Sequence, residues 1–236
     1  MKIVIPMAGE GSRFASVGYD KPKPLIDING KPMIGVVTEN LKFDAEYIFL
    51  VRKKHLEAFD LEKIISSLVC KYKIVNVDSL TEGAACTVLL AKEYINTDES
   101  LLIVNSDQFV EYSSENFKLL MDFSAVDGII LTFIDNDKKW SFVRQDDTGK
   151  IIEVAEKKPI SNIATAGAYY FRKGRDFVKY AEQMINQNDR VNNEFYVAPV
   201  YNYLIKDNKI IIPFFVTKMW GLGTPEDLDY YLQFKK

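Results

Sequence analysis

Short apolar runs alternate with segments of helical periodicity through the first half of the chain. The runs predict buried strands and lie at 2–6 (KIVIP), 46–51 (EYIFLV), 72–77 (YKIVNV) and 100–105 (SLLIVN). Apolar residues recur at helical spacing in 33–42, 56–69 and 83–95. Because strand and helix follow each other in turn, the pattern predicts right-handed crossovers and a parallel sheet covered by helices.

The second half of the chain is less regular, which favours some antiparallel pairing. Strands are predicted at 128–134, 140–144, 150–155, 164–171 and 209–216, and helices at 174–187, at 195–206 and from Pro225 onward. The sequence contains no repeat and no Ser/Gly/Pro-rich linker. We therefore expect an α/β fold with a mixed, mostly parallel central sheet flanked by helices. It would form one domain over 1–236, with halves of about 1–110 and 111–236.

Composition and charge exclude several classes of protein. The 30 basic and 33 acidic residues are well mixed and give a net charge of -3, so no basic stripe predicts a nucleic-acid partner. Cys70 and Cys86 lack metal-type spacing and suit a reducing compartment. No apolar run approaches the roughly 20 residues of a membrane span. We expect a cytoplasmic protein with no membrane partner.

Ligands of parallel α/β sheets bind beyond the carboxyl ends of the strands. Two loops are therefore candidates: the one that follows the strand at 2–6, and the one after 100–105, which reads NSDQF. In the first loop, Gly9 and Gly11 allow the backbone to approach a ligand, and Arg13 can bind phosphate oxygens through two parallel hydrogen bonds. The two glycines alone would also fit a plain turn between strand and helix. The loop matches neither the dinucleotide fingerprint, because residue 14 is Phe, nor a Walker A loop.

Lys23 lies between two prolines in the same segment. Proline fixes its own φ and pushes the preceding residue toward extended backbone, so this lysine is held on a stiff stretch of chain. A fixed ammonium group suits a phosphoryl ligand. Alone it would be interpreted as a surface lysine in a turn, but Gly9, Gly11 and Arg13 precede it.

The whole segment resembles the signature of the sugar nucleotidyltransferases, also called NDP-sugar pyrophosphorylases. The matching motifs are AGEGSR (8–13), PKPL (22–25) and GKPMI (30–34). The resemblance implies a Rossmann-like nucleotidyltransferase fold and transfer of NMP from an NTP to a phosphorylated acceptor, with release of pyrophosphate. It assigns the NTP to the first half and the acceptor to the second. The NTP-binding residues that we expect are Met7, Ala8, Gly9, Glu10, Gly11, Ser12, Arg13, Lys23, Asp78, Glu82, Gly83 and Ser106.

The resemblance also implies a magnesium ion. Asp107 stands where the family binds Mg²⁺, and Mg²⁺ needs only one or two protein carboxylates beside substrate phosphates and water. Many relatives carry a second Asp where this chain has Gly221. Either Asp107 suffices with phosphates and water, or another carboxylate such as Asp227 contributes. Arg13, Lys23 and Asp107 are the expected catalytic residues.

The segment TEGAACTVL (81–89) resembles the part of the family that binds the base. Asp78 stands where relatives often carry Gln, and an ionised carboxylate only accepts hydrogen bonds. Asp78 and Glu82 would suit cytosine or guanine better than uracil or thymine, which slightly favours CTP. The alternative, that both acids merely cap the next helix, stays open.

Three later segments resemble the acceptor side of the family: EVAEKKP, TAGAYYF and RVNNEFYVAPVYN. The expected acceptor-binding residues are Glu156, Lys157, Gly167, Arg190 and Glu194. Trp140 and Trp220 are interpreted as core residues. The acceptor is either a sugar-1-phosphate or a small phosphomonoester such as phosphoglutamine, as in enzymes of capsule or surface-glycan synthesis.

Two other classes remain open. A glycosyltransferase would carry an Asp-x-Asp metal motif, which SDQ is not, and a non-catalytic regulatory module would have lost Arg13, Lys23 or Asp107. Relatives often assemble, so a homo-oligomer is a further option.

Overall fold

The computed structural model describes residues 1–41 and 43–235. The strands are β1 (Lys2–Pro6), β2 (Asp27–Ile28), β3 (Lys31–Pro32), β4 (Glu46–Arg52), β5 (Tyr72–Val77), β6 (Leu101–Val104), β7 (Gln108–Glu111), β8 (Gly128–Ile134), β9 (Ser141–Gln145), β10 (Ile151–Glu156), β11 (Ile163–Phe171), β12 (Ile211–Phe215) and β13 (Lys218–Gly221). The helices are α1 (Ser12–Ala15), α2 (Met33–Leu41), α3 (Lys53–Ala58), α4 (Leu61–Leu68), α5 (Ala84–Leu89), α6 (Lys92–Ile95), α7 (Ser114–Asp122), α8 (Gly174–Asn186), α9 (Val200–Lys206) and α10 (Pro225–Phe234). A 3₁₀ turn spans Lys23–Leu25.

One mixed sheet joins the two halves of the chain, with the order β10-β9-β11-β6-β1-β4-β5. Strands β6, β1, β4 and β5 are parallel, and β11 runs antiparallel to β6. Strand β8 pairs with both ends of β11, β9 pairs with β11 at Ala164, and β12 extends the sheet beyond β8. The predicted fold class, a mixed α/β sheet flanked by helices, is confirmed.

Side chains of the central strands alternate between two apolar layers, as the strand period of two requires. In β1, Ile3 and Ile5 belong to one layer and Val4 to the other, and all three are fully buried. Helix α8 packs in the layer of Val4, and α2 and α4 pack in the layer of Ile3. The sheet is therefore covered on both faces, and its strand ends are the part left open.

A third, smaller apolar cluster ties the opening segment to the end of the chain. Phe14 and Ile26 pack there with Trp220, Leu222 and Leu228. Phe14 is 1% exposed, and its neighbours in sequence lie in the loop that follows β1. The cluster therefore fixes this loop against β13 and α10.

The strand predictions for 2–6, 46–51, 72–77 and 100–105 are confirmed within a residue or two at each end. The single helix predicted for 56–69 is wrong: the chain breaks at Asp60, whose φ of 46° is left-handed, into α3 and α4. The helix predicted from 195 begins only at Val200, because the preceding residues bond to the segment around Gly83. The segment NSDQF is a loop only as far as Asp107, since Gln108 opens β7, which pairs with β13.

Candidate functional site

Two cavities open at the carboxyl ends of the strands and meet at Asp107. The first cavity, of about 290 Å³, is lined by the ends of β1, β5 and β6 and by the loops that follow them. The second cavity, of about 490 Å³, lies between β9, β10, β11 and the β13–α10 segment. Ala84, Asn105 and Asp107 line both. A group held by Asp107 would therefore lie within reach of both cavities.

The first cavity has a rigid wall, because the segment that carries Lys23 is fixed on both sides. Pro24 and Leu25 are buried, and the 3₁₀ turn begins at Lys23 itself. On the other side, a Cβ on Gly11 would stand 3.3 Å from the Lys23 Cβ. Any side chain larger than hydrogen at residue 11 would press on Lys23, so the two motifs of the opening segment pack directly against each other.

Lys23 and Asp107 form an ion pair at the junction of the cavities. The Lys23 Nζ lies 2.6 Å from the Asp107 Oδ2, and the two side chains are 22% and 26% exposed. Partial burial strengthens such a pair relative to one on the open surface. The backbone carbonyl of Asp107 accepts a hydrogen bond from Leu222 N–H at 2.8 Å, which fixes the strand end. The carboxylate is thus held beside a cation and between two spaces for ligands.

Gly167 shapes the second cavity. Its φ is 66°, and a Cβ there would collide with the amide groups of Gln108 and Asn105. The pairing register of β11 shifts between Thr165 and Tyr169, so β11 bulges at this glycine. The bulge allows the Gln108 and Asn105 amides to reach the cavity floor beside Asp107.

Glu156 is a buried carboxyl group on the wall of the second cavity, only 9% exposed. Burial raises the pKa of Glu156, while a hydrogen bond from Ser141 Oγ and the charge of Lys157 act in the opposite direction. Lys157 lies beside it and donates to the Tyr196 hydroxyl at 2.6 Å. The cavity wall thus presents a hydrogen-bond acceptor next to an ammonium group.

Asp227 faces the second cavity close to Gly221. A Cβ on Gly221 would stand 3.3 Å from the Asp227 carboxylate, and a Cβ on Gly223 would stand 2.9 Å from the Asp107 Oδ2. The glycines leave both carboxylates room along one edge of the cavity. Asp227 pairs with Lys139 at 3.0 Å. Within residues 1–41 and 43–235, no group of three or more acidic, His or Cys side chains is suited to hold a metal. Asp107, with Asp227 as a second carboxylate, fits a Mg²⁺ ion that takes its remaining ligands from phosphates and water.

The segment around Gly83 is bonded to the second half of the chain. Phe195 N–H donates to the Glu82 carbonyl at 2.8 Å, and Ala85 N–H donates to the Phe195 carbonyl at 2.9 Å. A Cβ on Gly83 would stand 2.5 Å from the Phe195 backbone. The Arg190 guanidinium lies 3.1 Å from the Glu82 carboxylate and 4.4 Å from the centre of the Phe195 ring. These contacts hold residues 190–195 against the Gly83 segment, and Glu194 from this stretch lines the first cavity.

The predicted site residues fall into three groups. The first cavity is lined by Met7, Ala8, Gly9, Lys23, Gly83, Ser106, Asp107 and Glu194, and the second by Arg13, Asp107, Glu156, Lys157 and Gly167. Glu10, Gly11, Ser12, Asp78, Glu82 and Arg190 line neither cavity. Glu194, predicted for the acceptor, faces the cavity with Lys23, whereas Arg13, predicted for the NTP, faces the other. The individual roles stay predictions.

Sequence analysis missed several residues of the second cavity, among them Gln108, Lys139 and Tyr196. Trp140 was interpreted as core but lies on the cavity wall, while Trp220 is buried in the apolar cluster as expected. Gln108 directly follows Asp107, which is the one signal that could have indicated it.

The sequence model of the nucleotidyl transferase family matches residues 2–228. The chain belongs to this family. The resemblance found in the opening segment is thereby confirmed. Among curated relatives, the bifunctional protein GlmU of Methanocaldococcus jannaschii is 29% identical over 213 residues, covering 89% of this chain and 48% of its own. The UTP–glucose-1-phosphate uridylyltransferase AglF of Haloferax volcanii is 25% identical over 240 residues, covering 97% of this chain and 94% of its own.

Among solved structures, a nucleoside-diphosphate-sugar pyrophosphorylase from Vibrio cholerae RC9 superposes on this chain with a TM-score of 0.82. It is 25% identical, and the match covers 98% of this chain and 99% of the other. The chain spans about half the length of the GlmU relative, 48%. Among the described residues, no helix has both the length and the apolar character needed to cross a membrane.

Proposed function

We propose that this protein transfers a nucleoside monophosphate from an NTP to a phosphorylated acceptor and releases pyrophosphate. The observation that carries the proposal is the Lys23–Asp107 pair, which lies where the two cavities meet. Two adjoining cavities that share a charged junction suit a reaction in which two phosphate-bearing ligands exchange a group.

In the proposed reaction the NTP occupies the first cavity and the acceptor the second. An acceptor phosphate oxygen attacks the α-phosphorus, the bond from that phosphorus to the bridging oxygen of the β-phosphate breaks, and pyrophosphate leaves with its electron pair. An ionised phosphate is already a nucleophile, so positioning and charge neutralisation are what the protein must supply. Lys23 neutralises charge near the α-phosphate, and Arg13 binds phosphate oxygens from the side of the second cavity.

Asp107 would hold a Mg²⁺ ion, with Asp227 as the candidate second carboxylate. When bound, Mg²⁺ neutralises phosphate charge and orients the phosphate oxygens. In the absence of phosphates, the Lys23 ammonium is the cation that neutralises Asp107. Lys157, Lys139 and Glu156 contact the acceptor in this proposal, because all three line the second cavity.

The proposed donor is CTP. Asp78 and Glu82 do not line the first cavity, but Glu194 does and supplies a carboxylate that only accepts hydrogen bonds. Such a group suits the amino group of cytosine. The proposed acceptor is a sugar-1-phosphate or another small phosphomonoester, and a role in capsule or surface-glycan precursor synthesis rests on the family resemblance.

The test is a pyrophosphate-release assay of CTP, UTP, ATP and GTP against a panel of sugar-1-phosphates and small phosphomonoesters. We expect CTP to be preferred and Lys23→Ala to lower the turnover with it by about 10²- to 10³-fold, the usual loss for one preorganised charge. Preference for another NTP would refute the assignment of CTP.

The matched control is Lys31→Ala. It removes a lysine of the same segment whose pair with Glu39, at 2.7 Å, is about half exposed, at 54% and 55%. Turnover of Lys23→Ala within a few-fold of both the control and the unmodified protein would refute the role of Lys23. Silence with every NTP and acceptor would refute the reaction itself.

A further inference from the structure

Two hydrogen-bond donors of the second cavity have no protein partner. Within the described residues, the Gln108 Nε2 and the Trp140 Nε1 are buried side-chain atoms without a hydrogen bond. Both side chains line the second cavity. A buried donor without a partner costs about 1–3 kcal/mol. A ligand that supplies the two missing acceptors would recover this free energy on binding in the cavity.

The Gln108 side chain is built into this position. Its side chain is 4% exposed, and Gln108 pairs with Gly221 in the β7–β13 ladder, next to Asp107 in sequence. The absence of a side chain at Gly167 leaves space for its amide group. The amide can therefore face the cavity only because β11 bulges at Gly167.

The backbone N–H and carbonyl groups of Trp140 are both hydrogen-bonded. Its N–H donates to the Asp137 carbonyl at 3.2 Å, and its own carbonyl accepts from Lys157 N–H at 3.0 Å. The indole packs edge-on against Phe133, with ring centres 5.5 Å apart. The ring is thus fixed by packing, while its one polar atom is left for a partner from the cavity.

The remaining wall of the cavity carries both carboxylates and the ammonium groups of Lys139 and Lys157. Glu156 and Asp227 present carboxylates to the same space. Hydroxyl groups both donate and accept, so a body with several hydroxyls could satisfy Gln108 and Trp140 and also the carboxylates. A quaternary ammonium would leave both orphaned donors unpaired.

We propose that Gln108 and Trp140 are specificity-determining residues, whose N–H groups select an acceptor with a polyhydroxylated body next to its phosphate. The inference rests on the proposed function and narrows the class of acceptors that the protein would use. Loss of one neutral hydrogen bond corresponds to a change in affinity of about 3- to 10-fold.

The test measures KM for three acceptors, α-D-glucose 1-phosphate, myo-inositol 1-phosphate and phosphocholine, with the NTP that the protein prefers. The variants are Trp140→Phe and Gln108→Met, which keep side-chain size and remove the donor. We expect each to raise KM for the two hydroxylated acceptors about 3- to 10-fold, and to change KM for phosphocholine and for the NTP by less than about 2-fold. Since each variant also removes an unsatisfied donor, the Tm without ligands should stay the same or rise.

The controls are Trp220→Phe and Gln145→Met. The Trp220 indole donates to Glu111 at 2.9 Å and the Gln145 amide donates to the Gly149 carbonyl at 2.7 Å, and both lie outside the second cavity. These variants should lower Tm and leave every KM unchanged. The inference is overturned if wild-type protein prefers phosphocholine, if the Trp140 and Gln108 variants affect all acceptors equally or none, or if their Tm falls as in the controls. Silence with all three acceptors and the wider panel overturns the proposed function and this inference together, whereas turnover with unaltered variants overturns this inference alone.

Discussion

Replacing Gly167 by Ala tests how closely the fold and the second cavity depend on each other. The φ of Gly167 is 66°, and the added Cβ would stand 2.6 Å from the Asn105 Nδ2 and 2.7 Å from the Gln108 Cδ, with the Gln108 Oε1 closer still. Contacts this short require Gln108 to move. Gln108 is 4% exposed and its strand is paired to β13, so the second cavity is the space into which its amide can move.

Two costs add up for this variant. Left-handed backbone costs a non-glycine residue about 1–2 kcal/mol, and overpacking of a filled interior costs about 1–3 kcal/mol. We therefore expect Gly167→Ala to lower the free energy of unfolding by about 2–5 kcal/mol. For a chain of this length, that corresponds to a fall in Tm of about 4–20 °C.

The assay is urea denaturation followed by circular dichroism, with Gly149→Ala as the control. Gly149 also has a positive φ, 84°, but a Cβ there would find only the Gln145 Nε2, at 3.7 Å. The control carries the backbone cost without the collision and should lose about 1–2 kcal/mol. Equal losses for the two variants would refute the reasoning, because they would show that Gln108 yields freely.

The remaining predictions concern one ionisable group, one glycine and one pair of amides. Burial raises the pKa of Glu156 above its ordinary value of 4.5. The neutral form of Glu156 therefore contributes to the stability of the folded protein below pH 4.5, and this contribution is lost as the pH rises through the raised pKa. Glu156→Gln cannot ionise, so its stability relative to wild type should rise as the pH increases above 4.5. A difference that does not change with pH in urea titrations would contradict this. Gly83→Ala would place a Cβ 2.5 Å from the Phe195 backbone. We therefore expect the free energy of unfolding to fall by about 3 kcal/mol and NTP binding, measured by calorimetry, to weaken. Unchanged binding would show that residues 190–195 do not shape the first cavity. Asn40 and Asn202 each bond both backbone groups of one strand residue, Val110 and Val154, at 2.8–2.9 Å. Replacing either Asn by Ala should lower the free energy of unfolding by about 1–3 kcal/mol. Only Asn40→Ala should also lower turnover, because Val110 lies in the strand that follows Asp107. Equal turnover in the two variants would contradict this.

The central sheet could be predicted because its strands are continuous apolar runs buried on both faces. Strand β7 could not, since Gln108–Glu111 is short and half polar, and its partner β13 lies about a hundred residues further along the chain. The break between α3 and α4 was missed because Phe59 and Asp60 fit a helical pattern, while the chain takes a left-handed turn at Asp60. Periodicity reports local preference, and these two features depend on distant contacts.

The candidate site, too, was predictable from the sequence only where local patterns and strand order determine it. The closeness of Lys23 and Asp107 follows from topology, because β1 and β6 are neighbouring parallel strands and both residues follow their carboxyl ends. The pairing of Glu82 with Arg190 did not follow, since residues 190–195 reach the first cavity by a loop with no regular structure. Glu194 was therefore expected among the acceptor residues, and the structure places it on the wall of the other cavity.

The bond between Phe195 and the Gly83 segment has a consequence for biosynthesis. A ribosome releases the chain from its amino end, so the pocket that contains Lys23 lacks one wall until residues 190–195 have emerged. Strand β6 likewise has an unpaired edge until β11 arrives, because β11 occupies the side of β6 opposite β1. The first cavity is consequently complete only after most of the polypeptide has been synthesised.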